Sequence, residues 1–149
     1  MKPKWQKYFT RVLEETAELS YARKLKVGAI AVRDYRVIVT GYNGRLPGED
    51  NCCEDEIRSW DHNSNTEVVE LKTRSDVEHA ERNLICCAAK KGIALEGASL
   101  FITHSPCIDC ARAIANVGFI EVYYKEVFNK SEGLVFLQQR DIKVIQLES

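Results

Sequence analysis

Two short motifs constrain what this chain can fold into more than any other feature of its sequence. They are His79-Ala80-Glu81 and Pro106-Cys107-Ile108-Asp109-Cys110, and each is predicted to lie where a strand or loop enters a helix. Proline suits the first position of a helix, where its missing N–H costs nothing. Cys107 and Cys110 are three residues apart, so they project from the same helix face. One helix start therefore presents a histidine, and the other presents two thiols.

A histidine and two cysteines form a three-ligand zinc set. Its fourth tetrahedral position stays open, which distinguishes a catalytic zinc from a structural one. In the first helical turn, the positive end of the helix dipole favours the thiolate form of Cys107 and Cys110. A carboxylate beside a zinc-bound water takes its proton and passes it to a substrate nitrogen. The motifs thus predict one catalytic zinc held by His79, Cys107 and Cys110, with Glu81 moving protons without being a ligand.

Size and composition limit the remaining possibilities. The 149 residues predict a single domain over 1–149, and 45% hydrophobic residues exclude wholesale disorder. With 21 Lys+Arg against 22 Asp+Glu, there is no basic surplus to indicate nucleic-acid binding. No uncharged run is long enough to cross a bilayer, and residues 1–10 lack the apolar stretch of a signal peptide. We therefore expect a cytoplasmic protein with no nucleic-acid or membrane partner.

Periodicity and turn residues predict the element order α-β-β-α-β-α-β-α-β. Helices are predicted over residues 4–20, 79–91, 106–117 and 132–140, and strands over 27–32, 37–40, 99–103, 120–125 and 142–147. A turn at 33–36 makes the first two strands an antiparallel hairpin. Residues 46–76 show little periodicity and are interpreted as a long functional or mobile loop. This order predicts a three-layer α/β/α domain around one mixed five-stranded sheet.

Of the six cysteines, four lie outside the second motif. Cys86 and Cys87 fall in the middle of a helix and are interpreted as small core residues. The Cys52-Cys53 pair lies in the acidic loop near His62 and leaves open a second, structural zinc, for which a fourth ligand is missing. His104 is the nearest candidate for a fourth ligand that would close the first site, and we interpret it instead as part of a pocket wall.

Six segments together resemble a known family. They are KVGA at 26–29, TGYNG at 40–44, NCC at 51–53, HAERN at 79–83, EGA at 96–98 and SPCIDCA at 105–111. The pairing of H-x-E with P-C-x-x-C is the signature of zinc nucleobase deaminases. From about Ser20 to the C-terminus, the chain resembles the deoxycytidylate (dCMP) deaminases of bacteriophages and eukaryotes, within the cytidine-deaminase superfamily.

The resemblance implies that dCMP and water give dUMP and ammonia, a reaction that supplies thymidylate synthesis. By position, Asn43 would contact the deoxyribose hydroxyl, the Ala80 backbone would contact the pyrimidine, and the Ser105 carbonyl would accept a hydrogen bond from the amino group that is lost. A phosphate clamp is predicted at Arg23, Lys24 and Lys26, with Arg23 and Lys26 as the chosen substrate contacts. The alternative for these three residues is a solvated basic turn, and for Asn43 a left-handed turn residue.

Feedback control is also implied by the resemblance. Family members that carry the GYNG segment are homohexamers, activated by dCTP with Mg²⁺ and inhibited by dTTP. The residues assigned to the effectors are Gly41, Tyr42, Asn43, Gly44, Lys90 and Phe128. The two glycines would expose backbone N–H groups to effector phosphates. The alternative is that this segment is only a tight strand-to-loop turn.

Three other functions fit parts of the pattern. A tRNA adenosine deaminase shares both motifs, but RNA binding normally requires a basic surface that the charge balance does not offer. A nucleoside cytidine deaminase has the same chemistry without a phosphate clamp. A non-catalytic zinc module that binds a partner through its long loop would have no use for Glu81.

Overall fold

Four helices and seven strands follow one another in the computed structural model, which describes residues 1–148. In chain order they are α1 (Pro3–Glu18), β1 (Gly28–Arg33), β2 (Arg36–Tyr42), β3 (Glu54–Asp61), β4 (Thr66–Thr73), α2 (Ala80–Lys91), β5 (Ser99–His104), α3 (Ile108–Asn116), β6 (Glu121–Glu126), α4 (Glu132–Gln138) and β7 (Lys143–Gln146). No helix in the described part of the chain combines the length and apolar character needed to cross a membrane.

Five of the strands form one mixed sheet in the order β2-β1-β5-β6-β7. β1 runs antiparallel to both β2 and β5, whereas β5, β6 and β7 are parallel to one another. Asp34 and Tyr35 connect β1 to β2 with φ values of 50° and 59°, as a two-residue hairpin turn requires. The predicted mixed five-stranded sheet is therefore confirmed.

Side chains alternate across the sheet and create a core on each face. Ile30 and Val32 pack with Phe9 and Leu13 of α1 on one face. Ala29 and Ala31 point to the opposite face and join the core formed with the other three helices. The sheet thus lies between one helix on one side and three on the other. This confirms the predicted α/β/α layers.

The predicted long loop contains a second sheet, so that prediction was wrong. β3 and β4 pair antiparallel over their full length and form a separate two-stranded hairpin. Charged pairs hold its outer surface together, since Arg58 lies 2.9 Å from both Glu56 and Glu67. Most of its side chains are exposed, including Ile57 and Trp60. The apolar side chains of the hairpin are divided between its two faces, so it lacks the regular apolar alternation by which strands are predicted.

Two further expectations are corrected by burial and packing. Cys86 is exposed, and only Cys87 reaches the edge of the core. β2 does not end at residue 40 as predicted, but continues through Gly41 to Tyr42. A Cβ atom at Gly41 would lie 2.5 Å from the Ala80 carbonyl oxygen and 2.7 Å from the Leu84 nitrogen. Gly41 therefore allows the first turn of α2 to lie directly on β2.

Replacing Gly41 by alanine should destabilise the protein, because the added methyl group must displace the first turn of α2. We expect the free energy of unfolding to fall by about 2 kcal/mol or more, as in other overpacked sites. Gly44→Ala is the matched control, since a Cβ there meets nothing within 4 Å. Urea denaturation of both variants measures the difference, and equal unfolding midpoints would contradict this account of Gly41.

Candidate active site

His79 is the N-cap of α2, and the segment before it is held against the end of β2. Gly44 and Glu78 exchange two backbone hydrogen bonds of 3.2 and 2.9 Å. Arg45 adds an ion pair of 2.8 Å to Asp76, and its side chain is only 12% exposed. The chain therefore enters α2 along a fixed path, which determines where the imidazole lies.

The two cysteines occupy the start of α3. Cys107 is the N-cap, and its sulfur accepts a hydrogen bond from the Cys110 backbone N–H at 3.4 Å. Pro106 thus precedes the helix, which corrects its predicted place in the first turn. Gly133 of α4 packs on this turn so closely that a Cβ would overlap the Pro106 carbonyl. α4 therefore fixes the position of the cysteine turn from the opposite side.

The three predicted ligands converge. The Nδ1 atom of His79 lies 3.3 Å from the Cys110 sulfur and 3.7 Å from the Cys107 sulfur. Zn–N and Zn–S bonds of about 2.0 and 2.3 Å place N and S ligands about 3.6 Å apart in a tetrahedral site. These residues therefore fit zinc. No second group of three ligands is found in residues 1–148, so the structure does not support a zinc at Cys52 and Cys53.

Burial dominates the electrostatics of this cluster. It raises the pKa of the Cys110 thiol well above its ordinary value, and the neighbouring charge of Glu81 raises that pKa further. The predicted helix-dipole effect is therefore outweighed at Cys110. Binding to a metal would outweigh this effect of burial on the pKa, because a thiol that coordinates a metal is deprotonated outright. Burial also raises the pKa of the Glu81 carboxyl, which is 4% exposed.

A cavity of about 840 Å³ opens over the cluster, a size that accommodates a small ligand. Its wall includes most of the residues predicted to contact substrate or metal. They are Asn43, His79, Ala80, Glu81, Ser105 and Cys107, with His104 and Phe128 beside them. His104 is thus a wall residue as predicted, and its Nδ1 contacts the Thr103 hydroxyl at 2.9 Å.

The side chain of Asn43 holds the loop that precedes β1. Its Oδ1 accepts from the Val27 N–H at 2.9 Å, and its Nδ2 donates to the Leu25 carbonyl at 2.8 Å. Asn43 is absent from the residues with positive φ, so the left-handed alternative is wrong. Asn43 therefore shapes the cavity wall that it also lines.

The cationic wall of the cavity differs from the prediction. Arg23 pairs with Glu56 at 3.0 Å and Lys26 pairs with Glu18 at 3.2 Å, and neither lines the cavity. Of the three predicted clamp residues only Lys24 lines the cavity, together with Lys130. Lys130 was missed by sequence reasoning, although it follows β6 at the carboxyl end of a parallel strand, where ligand sites of α/β sheets occur.

Two of the predicted effector residues, Asn43 and Phe128, line the cavity. Phe128 lies in the cavity wall, whereas Lys90 is in the last turn of α2, about 16 Å along the helix axis from His79. The N–H groups of Asn43 and Gly44 donate to the Val27 and Glu78 carbonyls. Those two groups are therefore engaged within the fold and are not exposed to phosphates as predicted.

At the start of two helices, beside a cavity, one histidine and two cysteines lie close enough together to hold a metal ion, and comparison with known proteins agrees with this. A family model described as the cytidine and deoxycytidylate deaminase zinc-binding region matches residues 3–126. The chain belongs to this family.

Individual proteins of known name are also similar to this chain. ComE operon protein 2 of Bacillus subtilis (strain 168) is 34% identical over 145 residues, which cover 97% of this chain and 71% of that protein. The deoxycytidylate deaminase of Enterobacteria phage T4 is 32% identical over 136 residues, covering 72% of this chain and 70% of the relative. A crystal structure of the cyanophage S-TIM5 dCMP deaminase in complex with dCMP and dUMP matches with a TM-score of 0.83 and 32% identity. That match covers 98% of each chain.

Zinc content should separate ligands from non-ligands. We expect Cys110→Ser to lose the metal, because a serine hydroxyl is a much weaker zinc ligand than a thiolate. Glu81→Gln should retain it, since Glu81 is not in the ligand set, and Cys86→Ser is the control at an exposed cysteine. Atomic absorption on the purified variants measures zinc per chain. One zinc per chain in Cys110→Ser, or no zinc in Glu81→Gln, would contradict the assignment of Cys110 as a ligand and Glu81 as a non-ligand.

Proposed function

We propose that this protein is a zinc-dependent deaminase that converts dCMP to dUMP and releases ammonia. The observation that carries the proposal is Glu81, a buried carboxylate in the cavity wall next to the three ligands. A site that served only structure would gain nothing from burying this carboxylate. Named dCMP deaminases among the relatives support the same reaction.

His79, Cys107 and Cys110 would hold the zinc, which supplies Lewis acidity and activates water near neutral pH. Glu81 would pass one proton of the attacking water to the pyrimidine ring nitrogen. It would then pass the second proton, from the hydroxyl group formed on the ring carbon, to the amino group, which leaves as ammonia while the carbonyl of dUMP forms. Its burial supports this role, because a raised pKa brings a carboxyl closer to the operating pH.

Other residues of the cavity wall suit the nucleotide's polar atoms. Ala80 begins α2, where first-turn N–H groups have no partner within the helix, and one is available to the pyrimidine. Ser105 is fixed at two points, since its N–H donates to the Glu126 carbonyl and its Oγ accepts from the Phe128 N–H, each at 2.8 Å. Its carbonyl is thereby oriented for the departing amino group. Asn43 would contact the deoxyribose.

Two lysines support a nucleotide as the substrate in preference to a nucleoside. Lys24 and Lys130 come from distant parts of the chain and line one cavity. They would face the phosphate as point charges. The clamp expected at Arg23, Lys24 and Lys26 is thus kept at Lys24 alone, because the Arg23 and Lys26 side chains pair with acids outside the cavity. A nucleoside substrate has no phosphate for either lysine to contact.

A panel of cytosine compounds tests this function. We expect ammonia release from dCMP to be faster than from dCTP, deoxycytidine or CMP, and Glu81→Gln to lose nearly all turnover. Lys24→Met and Lys130→Met should each raise KM for dCMP about ten-fold, the loss expected for one charged contact. Arg23→Met and Lys26→Met should not. Comparable rates with dCMP and deoxycytidine would refute the phosphate contact, and inosine formation in tRNA would favour the adenosine alternative.

We further propose that the enzyme supplies dUMP for thymidylate synthesis as a homohexamer, activated by dCTP with Mg²⁺ and inhibited by dTTP. The support is the family resemblance of the 41–44 segment and its position against α2, which carries His79 and Glu81. Because two N–H groups of this segment are engaged, the exposed Tyr42 and Lys90 side chains are the better candidates for effector contacts.

Regulation predicts a change in the shape of the rate curve. The rate should be sigmoidal in dCMP concentration, hyperbolic with dCTP and Mg²⁺, and suppressed by dTTP. A coupling of about 1–3 kcal/mol corresponds to a roughly 5–150-fold change in apparent affinity. Initial rates under the three conditions, with sedimentation to determine the oligomer, measure this. Superimposable hyperbolic curves would show that the chain lacks the switch.

A further inference from the structure

One buried carboxylate in the cavity wall takes no part in the proposed reaction. Glu54 begins β3 and is only 4% exposed, although the six residues after it in the strand are all exposed. It lines the cavity close to where the β3–β4 hairpin joins the rest of the fold. A carboxylate leaves water only when other groups satisfy it, so its burial requires partners.

Backbone N–H groups are those partners. The Arg23 N–H lies 3.0 and 2.8 Å from the two Glu54 oxygens, and the Lys24 N–H donates to Oε2 at 3.0 Å. Hydrogen bonds from N–H groups to an ionised carboxylate are about twice as strong as neutral ones. Glu54 therefore binds the backbone of two consecutive residues firmly.

Those two residues form the bend that carries Lys24 into the cavity wall. Residues 19–27 contain no helix or strand, so side-chain contacts determine their path. Asn43 holds the second half of this loop through Leu25 and Val27, and Glu54 holds the first half. At the bend, Lys24 lines the cavity, whereas the neighbouring Arg23 side chain reaches Glu56 outside it.

We propose that Glu54 is a positioning residue for recognition of the substrate phosphate. By fixing the N–H groups of Arg23 and Lys24, it determines which of the two cations faces the cavity. The carboxylate does not touch the substrate, and its oxygens are occupied by N–H donors. This inference rests on the proposed function, which assigns the phosphate to Lys24 and Lys130.

Glu54→Gln is the direct test, because it keeps the shape and removes one acceptor oxygen. The amide NH₂ group cannot accept, so a buried backbone N–H would face a donor. We expect KM for dCMP to rise about ten-fold or more while kcat stays within about two-fold. Constants for deoxycytidine should not change. Glu56→Gln is the matched control on the same hairpin face, where the partner is the Arg23 side chain, and both substrates should stay within about two-fold.

Binding and a double-mutant cycle separate positioning from general damage. Calorimetry should show weaker binding of dUMP and unchanged binding of deoxyuridine to Glu54→Gln. In a Lys24→Met background, Glu54→Gln should add no further rise in KM for dCMP, because residues that act through one another are not additive. If Glu54→Gln does not fold, Glu54→Asp decides. Aspartate keeps the charge and both oxygens, but its shorter side chain holds them farther from the two N–H groups. This variant should raise KM for dCMP and leave KM for deoxycytidine unchanged.

Several results would overturn the proposal. One is an equal rise in KM for dCMP and for deoxycytidine. Another is that Glu54→Gln raises KM for dCMP as much in the Lys24→Met background as in the wild type. The third is that Glu54→Gln or Glu54→Asp has the same kinetic constants as Glu56→Gln. A wild-type protein that does not deaminate dCMP would instead refute the proposed function. The two failures are therefore distinguishable.

Discussion

Direct packing of backbone on backbone at two places controls the geometry of the metal site. Gly41 lets the first turn of α2 lie on β2, and Gly133 lets α4 lie on the turn before α3. These contacts leave little freedom to the two helix starts that carry the ligands. His79 and Cys110 can then meet within 3.3 Å, although they belong to different elements. The site is built on the rigid sheet and its helices, as accurate positioning of reactive groups requires.

Much of the main fold could be predicted because its signals are local. Ile30 and Val32 alternate with Ala29 and Ala31, and this pattern reveals a strand that is buried on both faces. The β3–β4 hairpin gives no such signal, since its apolar residues are divided between both faces and cross-strand charges such as Arg58 and Glu67 hold the strands together. Its residues read as an irregular acidic segment until their partners across the hairpin are known.

Within the candidate site, too, some features could be predicted from the sequence and others could not. The ligand set could be predicted because two cysteines on one helix turn and a histidine before another helix are recognisable from spacing alone. The basic side chains that face the cavity could not be predicted in this way. Their choice depends on contacts between residues far apart in the chain, such as that of Arg23 with Glu56. Nor does sequence reveal that the Asn43 and Gly44 N–H groups are already engaged. Sequence motifs identify the chemical groups of a site, but only the folded structure shows which hydrogen-bond donors and acceptors still lack a partner.

The distribution of the site along the chain has a consequence for how the protein assembles. All three candidate ligands lie within residues 79–110, at the starts of α2 and α3, which only β5 separates in the chain. The cavity above them instead draws residues from Ala22 to Gly133. Contacts between residues close in sequence form before distant ones, and metal binding is coupled to folding. A metal bound to this group would therefore cross-link a short stretch of the chain, whereas the cavity wall is complete only when segments from both halves of the chain have come together.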